Sequence, residues 1–207
     1  AKEEFYELET YANTTLNAWD VAYYSEKQQQ EHYAISQEDL RPYFPQSKTI
    51  QGMFSIASKL YDIHFEQQTT VSTWHPDVVY FELYNKDGSP RGGLYMDLYA
   101  RENKRGGAWM DDFISYRKKD DDSYQNPIAF LTCNFAPPSE GEEAYFSHDE
   151  VLTLFHEFGH CLHHLMTNVP YLAASGINGV EWDAVELPSQ FMENWCWERE
   201  SLDMISG

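Results

Sequence analysis

The sequence predicts an α+β fold that is mostly helical, with a small sheet containing antiparallel strands between two helical regions. Apolar residues recur at spacings of three and four in the first and last thirds of the chain, as on one face of an amphipathic helix. Between these regions, short runs rich in β-branched and aromatic residues alternate with turns, which is typical of strands. We therefore divide the 207 residues into a helical segment at 1–68, a small sheet with loops at 69–147 and a second helical segment at 148–207.

The first helical segment contains its clearest helix after Pro45, a residue that ends the segment before it. Six apolar side chains of this helix follow the helical spacing: Ile50, Met53, Phe54, Ala57, Leu60 and Tyr61. Ser47 is the predicted N-cap. Upstream, Ser36 and Asp39 are spaced as a capping box, in which each side chain bonds the backbone amide of the other residue.

The sheet segment is predicted from three β-rich runs. Residues 78–84 and 92–99 flank a turn-forming stretch with glycine and proline, and together they predict a β-hairpin. Residues 128–135 predict a third strand. The charged, glycine-bearing residues 101–112 are expected to form a loop.

The second helical segment opens with a strong start signal. Ser147 and Glu150 are spaced as a capping box, and negative charge at Glu150 suits the positive end of the helix dipole. The amphipathic pattern then continues to about Met166. After a glycine-bearing loop, residues 182–200 predict a second helix, with Pro188 near its start or at a kink.

The most informative residues are His156, Glu157 and His160, which form the pattern H-E-x-x-H in the middle of the first of these helices. Residues four apart share one helix face, so both imidazoles can bind the same metal ion. Glu157 can reach a water on that ion as a general base, and burying its charge without a metal would be costly. The pattern therefore indicates a zincin-type catalytic core with one Zn²⁺ per chain. The structural alternative is an ordinary pair of core histidines.

A third metal ligand has to come from elsewhere in the chain. One zincin class supplies a histidine six residues after the second ligand, but Met166 occupies that position here. The alternative is a glutamate from the following helix, for which Glu181, Glu186 and Glu193 are candidates. Asp183 lies one turn before Glu186, where it could hydrogen-bond a ligand histidine from outside the metal's own ligand set.

Three further residues are candidates for binding substrate. Asn134, on the third predicted strand, could bond a substrate backbone, and Gly176 could shape a substrate loop. His163 follows the motif on the same helix and could line the cleft. Two of them have a structural alternative: Asn134 as a polar residue at a strand end, and His163 as an ordinary surface or core histidine.

Composition narrows the partners and the compartment. The formal net charge of −20 disfavours nucleic acid and anionic membranes as partners, and it could favour cationic peptides or metal ions. There is no run of about 18 apolar residues, so we expect no membrane helix. Cys133, Cys161 and Cys196 are widely spaced and form no C-x-x-C pair, so we expect reduced thiols in a cytoplasmic protein.

Two segments make the chain resemble the thimet oligopeptidase family. The first is HEFGHCLHH at 156–164, and the second is WDAVELPSQFMENW at 182–195. Residues 19–24 and 97–109 are also similar to this family, so the resemblance covers nearly the whole chain. It implies a zinc metallopeptidase that cuts short peptides inside a deep, mostly helical channel and rejects folded proteins.

The resemblance also implies roles for individual residues. The zinc ligands would be His156, His160 and Glu186, the general base would be Glu157, and the strand at 128–135 would be the edge on which substrate lies. Family members are much longer, and a tyrosine and a histidine that stabilise their oxyanion belong to a C-terminal segment that has no match here. We therefore expect 1–207 to be a partial catalytic domain.

The resulting prediction is a zinc-dependent endopeptidase that hydrolyses short oligopeptides through a zinc-activated water, with reduced activity in this fragment. Two alternatives stay open: a non-catalytic zinc- or peptide-binding fragment, and a peptidyl-dipeptidase of the same family.

Overall fold

The computed structural model describes residues 2–139 and 142–207, in which helices and a mixed sheet share one core. The helices are α1 (Lys2–Ala12), α2 (Val21–Tyr33), α3 (Gln37–Leu40), α4 (Gln46–Tyr61), α5 (His148–Leu165), α6 (Leu187–Glu193) and α7 (Arg199–Ile205). The strands are β1 (Ile63–Gln68), β2 (Val79–Asn85), β3 (Pro90–Tyr99), β4 (Trp109–Ile114), β5 (Arg117–Lys118), β6 (Tyr124–Gln125) and β7 (Ile128–Phe135). The α+β class predicted from the sequence is confirmed.

The main sheet has the strand order β1-β2-β3-β7-β4. All neighbours in it are antiparallel except β3 and β7, which are parallel. The predicted hairpin is confirmed as β2 and β3, with the turn between Asn85 and Pro90. β5 and β6 form a separate small hairpin.

The expectation that the strand at 128–135 forms the edge of the sheet is wrong. That strand is β7, and it lies between β3 and β4, so β4 is the edge strand on this side. The loop predicted at 101–112 is correspondingly too long, because β4 begins at Trp109. Asp111 and Asp112 account for the error, since charged residues are common on edge strands but are also typical of loops.

Two other boundaries differ from the prediction. The helical segment drawn at 1–68 ends in a strand, because α4 stops at Tyr61 and β1 follows at once. The start of α4 is also earlier than predicted: Pro45 occupies the N-cap position, and the amide of Ser47 is bonded by the carboxylate of Glu143 at 3.1 Å.

The predicted helix at 182–200 is divided into α6, a 3₁₀ turn at Asn194–Cys196 and α7. Pro188 lies in the first turn of α6, where its missing amide hydrogen costs nothing, so the helix begins beside it instead of running through it. Glu186 therefore lies in the turn that precedes α6. The position of Glu186 in this turn determines how its side chain approaches α5.

The core lies between the sheet and α5, which packs on β3, β4 and β7. Its largest fully buried side chains include Leu83, Leu94, Leu131, Phe155 and Phe158, joined by Met53 from α4. Burial of one such side chain contributes about 1.5–3 kcal/mol, so this layer fixes α5 against the sheet. None of the helices in the described ranges is both long and apolar enough to cross a membrane.

Candidate metal centre

The helix α5 begins with the predicted capping box. The Ser147 hydroxyl accepts from the Glu150 amide at 3.2 Å, and the Glu150 carboxylate accepts from the Ser147 amide at 2.7 Å. Glu150 also pairs with Arg41 at 2.8 Å, which ties the start of α5 to the N-terminal helices. The cap satisfies amides that would otherwise lack partners, so the helix that presents the H-E-x-x-H residues is well anchored at its N-terminus.

His156 and His160 lie one turn apart on α5, with ring centroids 5.0 Å from each other. Of the three glutamate candidates for a third ligand, Glu186 is the one that meets both rings. Its Oε2 atom lies 3.2 Å from His156 Nε2 and 3.1 Å from His160 Nε2. One possible ligand atom from each of these three residues lies within 4.8 Å of the others.

These distances fit a divalent metal ion. In a tetrahedral zinc site with ligands about 2.0–2.2 Å from the metal, neighbouring ligand atoms are about 3.3–3.6 Å apart. The two nitrogen–oxygen separations are only slightly shorter, so a small adjustment would accommodate the ion. Two imidazoles and one carboxylate are also a ligand set that leaves a coordination position open.

The protonation states of two candidate ligands, His160 and Glu186, also favour metal binding. Burial lowers the pKa of His160, so its imidazole is neutral near pH 7 and can offer a lone pair. The pKa of Glu186 is lowered, first by a hydrogen bond from the Ser189 hydroxyl and then by the two histidines, which keeps its carboxylate ionised. Neutral imidazole and ionised carboxylate are the forms that coordinate metals.

A second carboxylate, that of Glu193, contacts a candidate ligand histidine from outside the group of three. Its Oε1 atom lies 2.6 Å from His156 Nδ1, so a proton on Nδ1 leaves the Nε2 lone pair free to face Glu186 and a metal. We expected Asp183 in this role, but Asp183 is exposed in the irregular turn before α6. Glu193 lies at the end of α6, about two helical turns after Glu186, and so returns to the same face.

Glu157 is a buried acid next to this cluster, with only 8% of its surface exposed. Burial raises its pKa and the neighbouring Glu186 raises it further, whereas His156 and a backbone hydrogen bond from Met110 oppose the rise. A carboxyl group with a raised pKa beside a possible metal site can accept and return a proton near neutral pH. The contact with Met110 also places the start of β4 at this acid.

The predicted substrate residue Asn134 has a structural contact. Its side-chain amide donates to the backbone oxygens of Arg105 and Gly107, both at 2.7 Å. Both amide hydrogens are therefore engaged in holding the turn that leads from β3 into β4. These contacts favour the structural alternative for Asn134, a polar residue at the end of a strand.

Gly176 and His163 lie in surroundings that differ from the metal cluster. Gly176 has a positive φ of +64°, and an added Cβ would lie 2.3 Å from Nδ1 of the fully buried His164. Glycine is thus required there by close packing against α5. His163 lines a mostly apolar cavity of about 130 Å³ together with Tyr61 and Met192.

Sequence reasoning missed two residues that shape the centre. One is Gly159, inside the motif itself, where an added Cβ would lie 2.5 Å from the Pro188 carbonyl oxygen and 2.6 Å from Ser189 Cα. The other is Ser189, which is completely buried beside Glu186. A glycine facing a buried serine across two helices has no local sequence signal, because only the tertiary fold brings them together.

Two histidines one turn apart, a facing glutamate and an adjacent buried acid define a candidate metal centre of the H-E-x-x-H class. The model of peptidase family M3 matches residues 1–207, and the chain belongs to this family. The resemblance to thimet oligopeptidases stated above is therefore confirmed.

Several relatives from this family are similar along most of the chain. Oligopeptidase A from Escherichia coli is 59% identical over 192 residues, which are 93% of this chain and 28% of the relative. Oligopeptidase A from Haemophilus influenzae is 52% identical over 211 residues, covering 100% of this chain and 31% of the relative. Dipeptidyl carboxypeptidase from Salmonella typhimurium is 38% identical over 199 residues, covering 93% and 29%. The chain thus spans less than a third of the length of these curated relatives.

Proposed function

We propose that this chain contains the metal-binding core of a zinc-dependent oligopeptidase that hydrolyses short peptides in the cytoplasm. The proposal rests on one observation, the convergence of His156, His160 and Glu186 beside the buried acid Glu157. Membership of family M3 and the high identity to oligopeptidase A support the choice of reaction and substrate. Because the chain spans less than a third of those relatives, the activity of the whole protein is part of the proposal.

Each residue has a stated role in this proposal. Zinc held by His156, His160 and Glu186 would supply Lewis acidity, which acidifies a water molecule and polarises the scissile carbonyl. Glu193 fixes the His156 ring so that Nε2 faces the centre. Glu157 takes a proton from the attacking water and then delivers it to the leaving amine, so one buried carboxyl serves both steps.

The edge strand β4 is the surface on which we place an extended substrate. Its start lies beside Glu157, whose pKa the Met110 backbone amide lowers, and among the described strands its other side has no sheet partner. Asp111, Asp112 and Phe113 are exposed along it. A peptide could add to this edge as a further strand, so that main-chain hydrogen bonds hold it in register next to the general base.

The test is cleavage of an internally quenched peptide by the zinc-loaded chain, with and without a chelator. We expect chelator-sensitive cleavage, and we expect Glu157→Gln to abolish it while zinc remains bound. Glu181→Gln, which changes an exposed acid in the same region, is the matched control and should keep the activity. Full activity in Glu157→Gln would refute the role of Glu157. A folded wild-type chain that binds one zinc without cleaving would instead identify it as a non-catalytic metal-binding core.

The similarity to dipeptidyl carboxypeptidase supports a second candidate reaction, the release of dipeptides from a free C-terminus. The two reactions differ in their need for that C-terminus. A peptide with an amidated C-terminus should be cut internally by an oligopeptidase, whereas a peptidyl-dipeptidase should act only on the free acid. The greater identity to oligopeptidase A favours internal cleavage.

A further inference from the structure

The third candidate ligand, Glu186, has little packing to hold it. Its side chain is 48% exposed, and it belongs to the turn before α6 and not to a helix. A glutamate has several rotatable bonds, and an exposed one samples many rotamers. In contrast, His156 and His160 are fixed by α5. Some other contact must therefore hold the Glu186 carboxylate at the point that both histidines face.

Ser189 makes that contact. Its side chain is completely buried, and its Oγ atom lies 2.8 Å from Glu186 Oε2 and 2.8 Å from the Glu186 backbone oxygen. The backbone oxygen already accepts from the Gln190 amide at 2.9 Å. A serine has one hydroxyl hydrogen, and an ionised carboxylate is the stronger acceptor, so we assign this hydrogen to Oε2.

The oxygen that Ser189 holds is the same one that faces the histidines. Glu186 Oε2 lies 3.2 Å from His156 Nε2 and 3.1 Å from His160 Nε2. One carboxylate oxygen thus contacts a buried hydroxyl and two imidazoles. A hydroxyl that only bonded back to the preceding turn would need the Glu186 backbone oxygen alone, without a contact to this carboxylate oxygen.

Gly159 places the serine within reach. The Pro188 carbonyl oxygen and Ser189 Cα would lie 2.5 Å and 2.6 Å from a Cβ at this position, so any larger residue would push α6 away from α5. Gly159 lies on α5 between the two histidine ligands in sequence. The close approach of α5 and α6 therefore fixes the position of Ser189, and with it that of Glu186, relative to the imidazoles of His156 and His160.

We infer that Ser189 is a positioning residue for the metal, whose hydroxyl holds Glu186 Oε2 at the point shared by His156 and His160. The inference rests on the proposed metal site and adds a residue to it that does not touch the metal. Removing the hydroxyl would leave all three ligands in place but release the carboxylate of Glu186 from its restraint. Changes in such outer contacts typically weaken metal binding by about 10–100-fold.

The test compares Ser189→Ala with Ser175→Ala. Ser175 is an equally buried serine whose hydroxyl donates at 2.8 Å to the backbone oxygen of Tyr116, and among the described residues it has no carboxylate partner. Zinc affinity is measured by competition with a chromophoric chelator, the visible spectrum of the Co²⁺-loaded chain reports ligand geometry, and urea unfolding of the metal-free chains reports stability. Both substitutions should lower stability, whereas only Ser189→Ala should lose about 10–100-fold in zinc affinity and alter the Co²⁺ spectrum.

Equal zinc affinities and identical Co²⁺ spectra for the two alanine variants would overturn the inference. If Ser189→Ala does not fold, Ser189→Cys keeps a side chain of similar shape with a much weaker donor, and it must show the same loss of affinity. Glu186→Ala separates this inference from the proposed function. Wild-type zinc affinity in Glu186→Ala would refute the metal site itself, whereas loss of affinity there without loss in Ser189→Ala would refute only the role of Ser189.

Discussion

The Asp97→Asn substitution should destabilise the chain in a pH-dependent way, because Asp97 is the buried centre of an ionic cluster. Its carboxylate is 5% exposed and accepts from Arg101 at 2.6 and 2.7 Å, from Lys104 at 2.8 Å and from Trp74 Nε1 at 3.0 Å. Lys104 also donates to the backbone oxygens of Asp97 and Tyr99. The cluster fixes the turn between β3 and β4, and hence the edge strand beside the metal centre.

The magnitude follows from the pKa of Asp97. Burial raises this pKa, but hydrogen bonds from Arg101, Lys104 and Trp74 together outweigh burial and hold it at about 2. The ordinary value is 3.8, so the folded state binds the proton more weakly than the unfolded state does. The stabilisation is therefore complete above about pH 5 and is lost as the pH falls through about 2. The difference between the two pKa values corresponds to about 2 kcal/mol of folding stability that the ionised Asp97 contributes.

The assay is urea unfolding of the wild type and Asp97→Asn across this pH range. The difference in unfolding free energy should narrow by about 2 kcal/mol as the pH is lowered from about 5 to below 2. Asp62→Asn is the matched control, because Asp62 pairs with Lys86 at 2.9 Å but both side chains are more than two-thirds exposed. Asparagine also tolerates the left-handed backbone of Asp62. A pH-independent difference for Asp97→Asn, or one no larger than for Asp62→Asn, would refute the reasoning.

Two further substitutions test how the site is supported. His164→Phe removes a hydrogen bond between Nε2 and the Ile114 backbone oxygen at 2.9 Å. It should lower the free energy of unfolding by about 1–3 kcal/mol and speed hydrogen exchange in β4. His148→Phe is the control, because it loses a similar bond to the Cys196 backbone oxygen and should leave exchange in β4 unchanged. Unchanged β4 exchange in His164→Phe would contradict this. Gly159→Ala should weaken zinc binding, because the added Cβ would displace α6. Gly106→Ala is the control, because its Cβ would meet open space and zinc affinity should not change. Equal zinc affinities of the two variants in a competition titration would contradict the packing argument.

Local signals explain what the sequence predicted well. The capping box at Ser147 and Glu150, the amphipathic pattern behind it and the hairpin turn after Asn85 each depend on residues close in sequence. The H-E-x-x-H spacing is likewise a property of one helix, so the juxtaposition of His156 and His160 follows from helix geometry alone.

Contacts between distant segments explain what the sequence left open or wrong. β4 has a charged, exposed surface and becomes a strand by pairing with β7, so its residues alone are typical of a loop. Glu181, Glu186 and Glu193 were equivalent candidates by residue type. The turn before α6 directs Glu186 to both histidines, and α6 itself carries Glu193 to His156. The sequence therefore limits the candidates for the third ligand to three glutamates, and tertiary packing selects Glu186 among them.

The central claim is that His156, His160 and Glu186 together hold one metal ion. Its most direct test measures the zinc stoichiometry and affinity of the wild type, Glu186→Ala and Glu181→Ala. Glu181→Ala is the control, because it removes an exposed acid that is not part of the described cluster around His156 and His160. We predict one tightly bound zinc in the wild type and in Glu181→Ala, and a large loss of affinity in Glu186→Ala. Wild-type zinc binding by Glu186→Ala would contradict the account.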